Sequence, residues 1–268
     1  MGPDAAWRTS PLTHYQVLER ILQNGAAVNP ILEAPWVECG ICRADWLHVA
    51  DQGIAAYFLG NFLVVIQTQF PGRSLAERVR GVSQRLQTWY HDHGIADRFD
   101  VLLPSMFMGT KNGYKLRGSA AKIRAMIPFA WTLAQELLAD ADPVENTVKQ
   151  CACQLWDIYQ SLSEESILHA DVSRVASTKF ALMYVALHER FHEVNDKMWR
   201  LKPKLHLFLH ICSDSSQPSR HWNYRDEDYG GMVSRLAKRR GGLLSPCALS
   251  RQVLNRFAIL QPMVRILG

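Results

Sequence analysis

Two histidines four residues apart, His188 and His192, enclose Glu189 in a His-Glu-x-x-His arrangement. On a helix that spacing puts both imidazoles on one side, where they could hold zinc while the glutamate polarises a metal-bound water. On this reading the chain is a zinc-dependent hydrolase. Arg190 stands directly after the glutamate, where its charge disfavours a cation, and no downstream residue is an evident third ligand. The same residues serve as the polar flank of a helix whose other face is Phe180, Met183, Tyr184, Leu187 and Phe191. The expectation is that His188 and His192 are not ligands. A second pairing, Cys39 and Cys42 with His48 nearby, has only Cys151 and Cys153 to complete a four-ligand zinc site. Those two lie on an expected helix, where neighbours two apart face different ways.

A third set is spread along the chain in a fixed order. Asp45 and His48 form an Asp-x-x-His element, followed by a stretch from Gln52 to Gly72 without a single charge. Lys202-Pro203-Lys204 leads to His206 and His210, and Trp222, Tyr224 and Glu227 follow a loop-like stretch. In the middle, Lys115-Leu116-Arg117 opens a basic stretch that runs on to Ile127-Pro128. This ordered set, over residues 40–235, resembles the C-terminal half of the CACTA (En/Spm) class of DNA transposases.

The resemblance implies an RNase H-like core in which three carboxylates hold two divalent metals, one activating the attacking oxygen and one the leaving oxygen. It places Asp45 and Glu227 among the catalytic residues, with Asp45, His48 and Glu227 in the metal-binding set for Mg²⁺ or Mn²⁺. Asp226 and Asp228 flank Glu227, and three adjacent like charges call for a cation or an exposed turn, so Asp228 joins the metal candidates. The all-helical stretch between the motifs corresponds to the insertion that interrupts such cores. Only Asp4 precedes Asp45 as an aspartate, so the expectation is an incomplete triad that does not turn over. DNA is the implied partner, contacted by Lys115, Arg117, Lys238, Arg239 and Arg240. Lys111, Lys122 and Arg124 add to the middle cluster. A helical interaction module without catalysis is the remaining reading.

The elements that must position these residues are almost all helical. Apolar periodicity predicts helices over 12–24, 45–69, 74–93, 119–139, 142–161 and 171–199. A helix over 227–239 and a closing one over 249–267 complete the set. Ser74 followed by Glu77 is a capping pattern, and Asp142-Pro143 starts a helix with proline in its first turn. Pro128 is expected to kink or bound its helix. The alternation at Leu205, Leu207, Leu209 and Ile211 suits a strand, while His206 and His210 suit one helical face. The chain therefore reads as one mainly α-helical domain: a variable segment 1–36, a transposase-like region 37–240 and a C-terminal helix 241–268.

Of 268 residues, 48% are hydrophobic and 21% charged, with a net charge of +5, which excludes disordered and collagenous classes. Six cysteines are too few for a disulfide framework, and no signal peptide is evident, so an intracellular compartment is expected, the nucleus in a eukaryote. Five polar side chains interrupt the uncharged stretch 52–72, which reads as a buried core helix and not a membrane span.

Overall fold

The computed structural model describes residues 12–28, 30–34, 37, 44–109, 112–162, 170–195, 197–213, 223, 224, 230, 231 and 234. Among them the protein is mainly helical, and no strand occurs. The chain divides into two compact units, Met1–Asp45 and Trp46–Gly268. In the first, α1 (His14–Gln23) starts at a capping box: the Gln16 amide donates to the Thr13 hydroxyl, and the Gln16 side chain accepts from the Thr13 N–H. A 3₁₀ turn over Pro30–Glu33 follows.

The second unit is built on a long rod. Leu47–Ala55 is a π-helix, running without a break into α2 (Ala56–Ile66) and a 3₁₀ turn at Gln67–Gln69. Among the described residues Leu47–Gln69 is the one helix long and apolar enough to cross a membrane, yet most of it is buried inside the protein. Phe58, Leu59, Phe62, Leu63 and Ile66 sit there at or near zero exposure. Apolar residues on every side of the rod explain why it has no polar face: neighbours cover it all round.

Those neighbours are α3 (Leu75–Asp92), α4 (Ala120–Leu137), α5 (Pro143–Gln160), α6 (Ala170–Phe191) and α7 (Pro203–Ser213). The π-helix packs on α4 and α7, while α5 and α6 pack closely on each other. Phe58 of α2, Phe180 of α6 and Phe208 of α7 meet edge to face, joining the layers. The caps follow the sequence. The Ser74 hydroxyl accepts from the Glu77 N–H, and the Asp142 carboxylate accepts from Val144 and Glu145 ahead of Pro143.

The structure alters three expectations. Pro128 lies inside α4 and does not bound it; lacking an N–H, it donates no bond to the preceding turn, and its own carbonyl accepts from the Thr132 hydroxyl at 3.0 Å. The helix expected to reach residue 199 stops at Phe191, and Trp199 takes a left-handed backbone, φ 51°, that no helix continues. The buried stripe of α6 is also rotated. Phe180, Tyr184 and Leu187 are buried, but Met183 and Phe191 are only half-buried, and Ser173, Ala176, Ser177 and Ala181 complete the inner face. Small residues there let α5 approach closely. Leu205–Ile211 is helical, which settles the strand-or-helix ambiguity in favour of one face for His206 and His210. The expected helices over 227–239 and 249–267 lie outside the described residues.

Candidate functional site

Two constructions stand out on the second unit, one at its surface and one inside it. At the surface, the segment 114–117 crosses α2 at Gly60. A Cβ on Gly60 would meet the Lys115 backbone N at 2.6 Å, so glycine is what allows the crossing. Leu116 N–H donates to the Ala56 carbonyl at 2.9 Å and fixes the register. Lys115 is thereby carried over the ring of Tyr57, its ammonium 5.4 Å from the centroid. Lys202, just ahead of α7, places its own ammonium 5.1 Å from the same ring. Lys204 donates to the His48 carbonyl at 2.7 Å, and its stem lies against Gly53.

The result is two ammonium groups from distant segments over one half-exposed tyrosine, with a third, that of Lys204, close enough to Lys115 to repel it. Burial lowers the Lys115 pKa, and the charge of Lys204 lowers it further. Burial likewise lowers that of Lys202, with Arg200 adding repulsion. None of the ion pairs among the described residues involves Lys115, Lys202 or Lys204. Partly buried ammonium groups with like charges beside them are relieved by an anion. Arg117 is exposed two residues beyond Lys115, and its N–H is held by the Met106 carbonyl at 2.9 Å.

Inside, Asp51 on the π-helix has no solvent exposure. Tyr159, at the end of α5, donates to one carboxylate oxygen at 2.6 Å, and Tyr224 donates to the other. Desolvation raises the Asp51 pKa to about 6, against the opposing effects of the two phenols, of Arg124 and of the Trp46 indole. That indole N–H lies near enough to favour the charge but closes no hydrogen bond. Burial pushes both phenols upward, and the carboxylate beside them pushes in the same direction. With both oxygens occupied and no water access, Asp51 is an acceptor that ties Tyr224 to the π-helix. A free general base it is not. Sequence reasoning missed it. The available signal was position: Leu47, Ile54, Ala55 and Phe58 lie at helical spacing around Asp51, so a carboxylate sits within an apolar stripe.

The expected site residues are only partly gathered. Asp45 is half-exposed and closes the first unit; His48 is half-exposed on the first turn of the π-helix. Glu227, Asp228, Lys238, Arg239, Arg240, Lys111, Cys39 and Cys42 lie outside the described residues. No three His, Cys, Asp or Glu side chains come together as a metal site among the described residues. Of the expected Mg²⁺ or Mn²⁺ ligands only Asp45 and His48 fall among the described residues, and no catalytic step follows from those two. The middle basic cluster disperses: Lys122 lies over the Phe99 ring at 5.8 Å, and Arg124 acts on Asp51. His188 and His192 have ring centroids 5.6 Å apart, and the Nδ1 of His192 is 2.8 Å from the Glu189 carbonyl. Cys151 is buried, while Cys153 is half-exposed and accepts from Gln135. No family model matches the chain, and no curated protein or solved structure matches it either.

Proposed function

We propose that this chain is a transposase-derived helical protein that associates with DNA and, by itself, does not cut it. The observation that carries the reading is the convergence of Lys115 and Lys202 over Tyr57, with Lys204 beside Lys115. Cations drawn from two segments, none of them in an ion pair among the described residues, suit a partner with repeated phosphates. The ring beneath them gives the partner a flat apolar floor. Both lysine segments are motifs of the transposase resemblance. The Tyr224–Asp51 bond lends further support, because it draws the C-terminal motif onto the helix that begins at the Asp-x-x-His element.

The test is fluorescence anisotropy with a labelled duplex across a salt series. Four or so phosphate contacts should weaken binding roughly a hundredfold between 50 and 200 mM salt. The double variant Lys115→Ala/Lys202→Ala should flatten the log–log salt slope by about 2 and weaken binding to any sequence alike. Absence of binding at low salt, or an unchanged slope in the variant, overturns the reading.

A further inference from the structure

Asn61 is a polar residue on the apolar rod, directly after Gly60, and it is 1% exposed. Its amide is used at both ends. The Trp199 N–H donates to Oδ1 at 2.7 Å, and Nδ2 donates to the Tyr57 carbonyl at 2.8 Å, with the Tyr114 carbonyl at 3.5 Å from the same nitrogen. Carbonyls at one end and an N–H at the other fix which way the amide points. Its partners belong to the separate parts of the basic site. Tyr57 supplies the ring, Tyr114 directly precedes Lys115, and Trp199 leads into Lys202.

The bond to Trp199 matters most. Trp199 is fully buried with φ 51°, a backbone that a bulky residue keeps only where its surroundings hold it. Its indole packs on Phe58 and Tyr184, and the buried indole nitrogen has no hydrogen-bond partner among the described residues, so Asn61 supplies the polar hold. Beyond Trp199, the Lys202 carbonyl accepts from Leu205 as α7 begins. The two lysine segments are also joined to each other. Tyr114 N–H donates to the Lys197 carbonyl at 3.3 Å, and a Cβ on Gly113, φ 94°, would stand 3.0 Å from that same oxygen. We propose that Asn61 is the positioning residue of this site: a buried amide that seats both lysine segments on one turn of α2 and so sets the Lys115 and Lys202 ammonium groups over Tyr57. The assignment rests on the DNA reading for its purpose, not for its geometry. An apolar side chain of similar size leaves the Trp199 N–H buried without an acceptor, and the segment must move to find one.

The experiment is NMR on the full chain with each lysine amine converted to a ¹³C-dimethylammonium, which keeps its charge. The native Lys115 and Lys202 methyl signals, assigned with Lys115→Arg and Lys202→Arg, should be displaced from the other lysines by the Tyr57 ring. Asn61→Leu should collapse both displacements. Asn61→Asp keeps an oxygen for the Trp199 N–H and should retain the displacement of Lys202; it decides the matter if Asn61→Leu does not fold. Leu86→Ala, at a buried position of α3, should lower stability and leave both signals in place. In the DNA salt series, Asn61→Leu should flatten the log–log slope by about 1–2, the share of the misplaced lysines. Native signals without displacement, displacements unchanged in Asn61→Leu, or loss of the Lys202 displacement in Asn61→Asp overturn the assignment, whatever the DNA result. Native protein that does not bind DNA overturns the reading beneath it and leaves the assignment standing.

Discussion

At Asp51, burial and hydrogen bonding pull in opposite directions, and burial prevails, so its pKa stands at about 6 against 3.8 for the free side chain. A folded-state pKa above the unfolded one means that the native protein binds the proton more readily. This group's contribution to stability is therefore fully present below about pH 4 and lost as pH rises through about 6. The span amounts to up to about 3 kcal/mol. Urea unfolding at pH 7 and pH 4.5 should show the native protein gaining stability on acidification relative to Asp51→Asn. A relative loss would mean that the phenols, not burial, dominate. Tyr159→Phe removes a donor to the carboxylate and should move the transition to still higher pH.

Among the elements, α6 and the crossing at Gly60 make the sharpest claims. Leu187 is 2% exposed, and Leu187→Ala should cost about 2–5 kcal/mol by equilibrium unfolding. Gly60→Ala sets a methyl against the Lys115 backbone and should cost roughly 1–3 kcal/mol. Because it displaces Lys115, it should also weaken DNA binding, which a purely internal repacking would leave intact. Helix starts were legible because caps act locally: Ser74 and Asp142 each bond to an amide two or three residues on. The face of α6 was less so, since Ser173, Ala176 and Ser177 are inside through the proximity of α5, a property of the neighbour. The π-turns at Leu47–Ala55 left no trace in the spacing, because this segment is mostly buried and its residue types carry no marker of i→i+5 bonding. Lys115 and Arg117 were visible as basic residues. The meeting of Lys115 with Lys202 and Lys204 depends on contacts more than eighty positions apart and could not be read from spacing.

For the molecule as a whole, the decisive question is whether the separated motifs still act together. Purified protein incubated with labelled duplex and Mn²⁺ should leave the DNA intact, and so should Glu227→Gln, while both retain salt-sensitive binding. Cleavage by the native chain that vanishes in Glu227→Gln would restore an active nuclease, with its metals held by carboxylates. The bond from Tyr224 to Asp51 gives a companion measurement. Tyr224→Phe should lower the unfolding midpoint and leave the salt slope of DNA binding near its native value, since the lysines around Tyr57 are untouched.

The π-helix also bears on how this chain tolerates insertions and deletions. Its i→i+5 bonds accommodate one more residue per turn than an α-helix would, without opening the backbone. Deleting a single residue from Leu47–Ala55 would let the rod close as an ordinary α-helix, with its helical content unchanged. In an ordinary α-helix such a deletion turns the flanking residues by about 100°, but here the tightening from i→i+5 to i→i+4 bonds takes up most of that turn. The segment works as a vernier between two stretches of chain: remove one tooth and the protein stays helical, with Trp46 and His48 still turned toward their partners on α5 and α7.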